Sequence, residues 1–359
     1  VWGGWLGAFS DGVFAHGWPV GAGDIAPAYR AAERWLGRVD HPLPDAFAEL
    51  RELGADARGR AGADAPDSPW LRALDHARAQ ARTETIATRR ARCGRRGSSR
   101  SRARCAPRRR APGRARSRAA SPVETCRLLL ASGAAHPAIG EGLHDHLTAS
   151  FHLLCPDAEA LAPDTAAAGA TLRFPPGRGA PDRGFVVEVF GPFALGPDNA
   201  CHLADDGIAA PIGTPFVTIH AMGEQLPSTE RYVRLDDERD QLGRRVPRLA
   251  LTPTAEDHQV IEHMRAACID VASALSVGDA TLVELGNSAE HPRIFHPGGV
   301  VQMGGDDAPA DERGRLREWP DVWIADASVF PTSGDCHPTL TVVAHVHRVV
   351  EHMRAAAQR

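Results

Sequence analysis

Residues 89–118 limit the fold more than any other stretch. This tract, RRARCGRRGSSRSRARCAPRRRAPGRARSR, holds 14 Arg, no acid, and no Val, Ile, Leu or aromatic side chain. It can bury almost no apolar surface and is expected to be disordered. A core must therefore be assembled from the two flanks of the tract. All 41 basic residues of the chain are Arg and none is Lys, which points to a GC-rich coding sequence rather than a physical requirement. The break in character after TETIA and before SPVET reads as a coding-frame slip over about 87–120.

The flanks have the composition of a globular protein. The hydrophobic fraction is 43%, the formal net charge is −4, and no run approaches the ~18 apolar residues that span a bilayer. The average charge gives no sign of a polyanionic partner. Seven cysteines (Cys93, Cys105, Cys126, Cys155, Cys201, Cys268 and Cys336) are odd in number and scattered. With no CxxC pair and no zinc-type Cys/His spacing, neither a disulfide scaffold nor a metal site is expected. The opening VWGGWLGAF has neither an initiator Met nor a leader pattern. It reads as the interior of a longer protein and leaves the compartment open between bacterial cytoplasm and periplasm.

Residues 1–86 read as loops and helices, with helical spacing over Ile25–Leu36 behind Asp24 as N-cap and again over Trp70–Ala81. SPVETCRLLLASG, from Ser121, predicts a helix ending at Gly133. From Thr148 to Leu251 the text is β-rich, with ASFHLLC, GFVVEVFGPF, TPFVTIHAM and RYVRLDD set between Gly/Pro/Asp turns. Helices are expected over Thr254–Leu275 and from Leu340 to Ala357. The mixture predicts an α/β (α+β) fold.

Two His-Pro dipeptides carry the chemistry. HPGGVVQMGG begins at His296, and WIADASVFPTSGDCHPTLT ends at Thr341 with His337 inside it. Two imidazoles on Gly/Pro-punctuated loops suit proton transfer near neutrality. Pro297 and Pro338 restrict each His to extended geometry, and Gly298 and Gly299 leave room for a planar ring near the backbone. Between the loops an apolar strand, Val322–Ala325, breaks at Asp326-Ala327-Ser328, a usual place for a ligand-facing turn.

This C-terminal stretch resembles the glucose–methanol–choline (GMC) family of FAD-dependent oxidoreductases. The resemblance rests on His296, Gly299, Met303, Gly304, Asp311, Asp326, Ala327, Ser328, Pro331 and His337-Pro338-Thr339-Leu340-Thr341, with Arg348 on the last helix. WPVGAGDIAPAYRAAERWLG from Trp18, VETCRLLLASG from Val123, GLHDHL from Gly142 and EQLPSTERYVRLDDERDQLG from Glu224 are similar to further family segments. The family's strand–GxGxxG–helix unit for the ADP half of FAD has no counterpart here. Gly21-Ala-Gly23 lacks the third Gly and a preceding strand.

The resemblance implies a partial GMC-type FAD-binding domain over 1–147, a β-sheet-containing substrate domain over 148–290, and a return to the FAD-binding domain over 291–359. It implies oxidation of a CH–OH group in an alcohol, polyol or sugar, with hydride passing to the flavin. His296 would be the general base and His337 would hydrogen-bond the substrate oxygen or reduced flavin. Ala327, Pro338, Thr339 and Leu340 would lie along the cofactor, and helix amides from Thr339 on would favour negative charge on reduced flavin. Asp326 would either bind the flavin's ribityl or phosphate region or cap its own turn. Asp145-His146 reads as structural, His345 and His347 as structural or exposed, and His291 as a surface-loop residue. The partners implied are a small alcohol or sugar and an electron acceptor, whether oxygen, a quinone or a cytochrome. Two other readings stand beside this one: an inactive family member unable to hold FAD, and an Arg-rich nucleic-acid binder using 89–118.

Overall fold

The computed structural model describes residues 7–36, 55–60, 87–90, 116–118, 120–156, 168–176, 182–205, 207–275, 279–290, 292 and 294–358. A seven-stranded sheet dominates, in the order β1-β5-β6-β7-β4-β10-β2. Its strands are β1 (Ala55–Arg60), β2 (Ala87–Arg90), β4 (Leu147–Leu154), β5 (Ala168–Phe174), β6 (Phe185–Ala194), β7 (Pro215–Gly223) and β10 (Thr281–Asn287). β10 runs parallel to β2, and every other neighbouring pair in the sheet is antiparallel. A hairpin of β8 (Tyr232–Arg239) and β9 (Arg245–Ala250) stands apart, and β3 (Arg116–Arg118) pairs in parallel with β11 (Val322–Ile324). Five helices complete the fold: α1 (Ala22–Leu36), α2 (Pro122–Ala131), α3 (Pro197–Asp205), α4 (Ala255–Leu275) and α5 (Thr339–Ala357).

The alternation in β4 sets the layering. Leu147, Ala149, Phe151 and Leu153 are buried beneath α4, together with Val187, Val189, Ile219, Ala221 and the α4 residues Val260, Met264 and Val271. Thr148, Ser150 and His152 face the other side by the two-residue period of a strand. Thr254 caps α4. Its Oγ1 accepts from the Asp257 amide (3.2 Å) while its own amide donates to Asp257 Oδ2 (3.0 Å), a reciprocal capping box. Asp257 also takes Arg183 at 2.6 Å and Arg231 at 2.5 Å, so one buried carboxylate ties the helix to two guanidiniums.

A second hydrophobic cluster joins α1, α2, α5 and the loops between β10 and α5. It contains Phe9, Trp18, Ile25, Leu129, Leu143, Val300, Phe330 and Leu340. The Tyr29 hydroxyl lies 2.8 Å from Thr341 Oγ1, locking α1 to the start of α5.

The mixed α/β expectation holds, as do the main elements, with several differences. α1 begins at Ala22, and Asp24 works from inside the first turn, accepting from the Gly21 amide at 2.9 Å, rather than as the N-cap. β1 lies in a region read as loops and helices, and neither α3 nor β10 was expected. The ends of the Arg-rich tract, 89–90 and 116–118, are in strands. Backbone pairing with β10 and β11 supplies there what composition does not. The rest of that tract, the expected Trp70–Ala81 helix and His291 lie outside the described residues.

Candidate active site

The His296 loop is held by a carboxylate on a segment 150 residues earlier. Asp145, just before β4, accepts the amides of Phe295 (2.6 Å) and His296 (3.0 Å) as well as that of its neighbour His146 (2.6 Å). A backbone bridge reinforces the join: the His144 amide donates to Gly298 O (3.2 Å) and the Gly298 amide to His144 O (2.9 Å). Burial pushes the Asp145 carboxyl up to about 6 while the three amides pull it back, so the group is mostly ionised at neutral pH.

The two His-Pro loops converge. The His296 and His337 rings stand edge to face with centroids 5.3 Å apart, well inside the ~12 Å that a shared site requires. His146 packs against the other side of His296, centroids 5.2 Å apart. Its Nε2 donates to Cys336 O at 2.9 Å, and because a carbonyl can only accept, this fixes the tautomer. His146 Nδ1 is then a lone-pair acceptor, and it is buried without a partner, as is His296 Nδ1. Desolvation, followed by the neighbouring His337, holds His296 down to about 4. Burial and the two adjacent imidazoles hold His146 well below its ordinary value. At neutral pH both are free bases.

Glu188 completes the arrangement. It lies in β6, is 3% exposed, and places Oε2 3.0 Å from His337 Nε2, which fixes the N–H of His337 on that nitrogen. An acid inside the apolar strand GFVVEVFGPF was the available signal for this residue, and sequence reasoning did not use it. Asp145 and His146 were read as structural, a reading the geometry corrects. One positions the base loop and the other lies against the base itself.

The remaining expected residues divide by what their side chains do. Asp326 Oδ1 accepts from the Ser328 amide (2.9 Å) and hydroxyl, and Oδ2 from Thr125 Oγ1 (2.7 Å) and the Ala120 amide (3.2 Å). Of the two roles open to it in sequence, this carboxylate performs the turn cap, and its acceptor positions are spent inside the protein. Ala327 begins the short 3-10 turn, with its carbonyl taken by the Gly299 and Phe330 amides. Leu340 is fully buried, so it offers a cofactor only its backbone. Pro338 is the N-cap of α5 and makes no side-chain cap bond, which leaves the first-turn amides from Thr339 on without a side-chain acceptor. Gly298 and Gly299 do not open space for a planar ring. A Cβ on Gly298 would meet His144 Cε1 at 2.4 Å, and one on Gly299 would meet Gly142 O at 2.5 Å, so that room holds the protein's own chain. His345 is structural, its Nε2 donating to Ile324 O at 2.9 Å.

These observations test the fit of a flavin. At the reacting end the fit is good. Uncapped amides open a 19-residue helix beside paired neutral imidazoles, one with an orphan buried nitrogen. No described residues form a glycine-rich turn that would hold the adenosine half. A metal was not expected from spacing, yet folding brings ligand atoms of Asp145, His146 and His296 within 4.8 Å of one another. Asp145 already accepts three amides, so the cluster suits proton handling better than cation binding.

Comparison with known proteins agrees with this geometry. Residues 227–345 match the family model for GMC oxidoreductases, a segment that contains His296, Asp326 and His337. A 56-residue stretch is 41% identical to an uncharacterized GMC-type oxidoreductase of Mycobacterium tuberculosis strain CDC 1551, and equally to that of strain H37Rv. The chain is a member of the GMC oxidoreductase family. The aligned stretch is 15% of this chain and 9% of each relative's length. Among solved structures, pyridoxine 4-oxidase from Mesorbium loti superposes with a TM-score of 0.40 at 19% identity, over 67% of this chain and 51% of that one. A formate oxidase variant of Aspergillus oryzae RIB40, studied for modification of its FAD, gives 0.48 at 15%, over 66% and 53%.

Proposed function

We propose that this chain carries the substrate-facing half of an FAD-dependent oxidoreductase that converts a CH–OH group to a carbonyl. The observation that supports it most is the placement of His296 and His337 side by side, with His296 unprotonated at neutral pH. We assign the partial FAD-binding unit to 1–147 with 291–359 and the substrate unit to 148–290. The two hydrophobic clusters follow that division closely, one lying wholly within residues 147–282 and the other drawn mainly from the flanks.

In this reading the substrate hydroxyl lies between the two rings. His296 takes its proton, and as the carbonyl forms the hydrogen on carbon leaves with its electron pair. FAD, when bound, supplies the acceptor for that hydride. His337, with its Nε2–H committed to Glu188, presents Nδ1 to the substrate oxygen or to the proton in transit. His146 stays neutral and keeps water from the back of His296. Thr339, Leu340 and the amides after them would face the reduced cofactor, where the positive end of α5 favours negative charge.

The test is to incubate the full chain with FAD, remove unbound cofactor, and follow alcohol-dependent reduction of a dye. The reading expects turnover in wild type and a loss of at least 100-fold in His296→Ala. Retained flavin with no alcohol-dependent reduction under any condition would establish the inactive reading instead.

A further inference from the structure

The face of the sheet turned away from α4 carries one polar row across four strands. Ser150 on β4 is the cross-strand partner of His220 on β7. His220 is the partner of Glu188 on β6, and Glu188 of Thr171 on β5. Directly opposed residues share a face, and neighbouring strands lie about 4.8 Å apart, so the row is some 14 Å long. It is an inset in apolar surroundings. One step along the strands on the same face, Val186 and Met222 join the second hydrophobic cluster, and the opposite face is the core beneath α4.

The row meets the histidine pair at two points. Glu188 holds His337 at 3.0 Å, and His220 is close enough to His296 to act on it electrostatically. Ser150 Oγ and His220 Nδ1 are hydrogen-bonded at 2.8 Å, and both residues are half-buried. At the far end Thr171 is 2% exposed and its hydroxyl has no partner in the protein. A buried hydroxyl left alone is costly in a finished core. It is better explained as one member of a hydrogen-bonding floor completed by a ligand.

We infer that the Ser150–His220–Glu188–Thr171 row is the specificity-determining floor of the site, and that it reads further hydroxyls of a polyhydroxylated substrate while His296 and His337 address the reacting one. The inference rests on the alcohol-oxidation reading for the identity of the reacting group, but the row binds oxygen atoms whether or not oxidation follows. A monohydroxy alcohol would leave the row unpaired and be disfavoured for that reason, as polar sites reject ligands lacking the group they were built to bond.

The test uses the full chain with FAD added, sorbitol and 1-hexanol as probes, and Ser150→Ala and Thr171→Val as two independent variants. Binding is read by ligand-observed NMR and oxidation by dye reduction. The inference expects wild type to bind sorbitol and prefer it to 1-hexanol in kcat/KM. Each folded variant should weaken sorbitol binding at least fivefold and lower the sorbitol-to-hexanol ratio by a similar factor. Sorbitol binding with no oxidation of either probe, weakened in the variants, would uphold the row and remove the oxidation reading. Oxidation of 1-hexanol with sorbitol neither bound nor preferred would overturn the row and leave oxidation standing. Sorbitol binding unchanged in both variants would also overturn it.

Discussion

Replacing Asp145 by Asn changes one atom and one charge, and it probes how the His296 loop is held. In the native site Oδ1 accepts the His146 and His296 amides, and Oδ2 accepts the Phe295 amide and shares that of His296. An Asn carbonyl can serve only one of these edges, so at least one amide must face an NH2 group, donor against donor. A buried amide without an acceptor costs about 1–3 kcal/mol. The native charge carries a cost of its own: a carboxyl moved from 3.8 to about 6 is disfavoured as the anion by roughly 3 kcal/mol. Asn relieves that cost. The two effects are of similar size and opposite sign, so global stability should move by less than about 2 kcal/mol in either direction. The loss is local. Hydrogen exchange at the Phe295 and His296 amides should speed up by roughly 10- to 100-fold, measured by NMR or by fragment-resolved mass spectrometry at pH 7.5. Unchanged exchange at both amides in a folded Asp145→Asn protein would refute the claim that this carboxylate positions the base loop.

Two further outcomes follow from the buried charges. Burial holds His144, His152 and His345 near 4, against 6.5 in the unfolded chain. The unfolded state therefore binds more protons between those values, and stability is complete above pH 6.5 and lost as the pH falls toward 4. One such group can contribute up to about 3 kcal/mol. Asp145 acts in the opposite sense between 3.8 and 6 and offsets about one of them. The urea midpoint should thus be lower at pH 5.0 than at pH 7.5, and an equal or higher midpoint would contradict the assignment. Asp257→Ala leaves Arg183 and Arg231, 5% and 0% exposed, without their shared carboxylate. It should destabilise by about 3–5 kcal/mol in urea unfolding, and a change under 1 kcal/mol would show that water or relaxation replaces the pair.

What was legible in the chain follows from how local each signal is. The period-two pattern of LTASFHLL and the helical spacing from Val260 to Val271 are short-range, and both elements formed where those patterns lie. His296 and His337 were legible because each sits in a dense local motif. Asp145 and His146 were not, since their meaning depends on contacts with residues 150 and 190 positions away. Nothing around GLHDHL distinguishes an anchoring carboxylate from an ordinary one. β1, reading ADARGR, carries no β-branched or aromatic residue, and pairing with β5 is what gives it strand form. The role assigned to Gly298 and Gly299 was misread for a related reason. A glycine pair announces close approach, but only the fold reveals that the approaching group is His144.

The central claim is that His296 removes the hydroxyl proton. It is tested most directly by mixing the FAD-loaded chain anaerobically with a polyol and following a single turnover of flavin bleaching from pH 4 to 8, in wild type and in His296→Gln. Because burial holds His296 near 4, the wild-type rate should be flat from pH 8 to about 5.5 and fall below that. His296→Gln should bleach at least 100-fold more slowly with no such fall. Bleaching in His296→Gln at the wild-type rate would contradict the account.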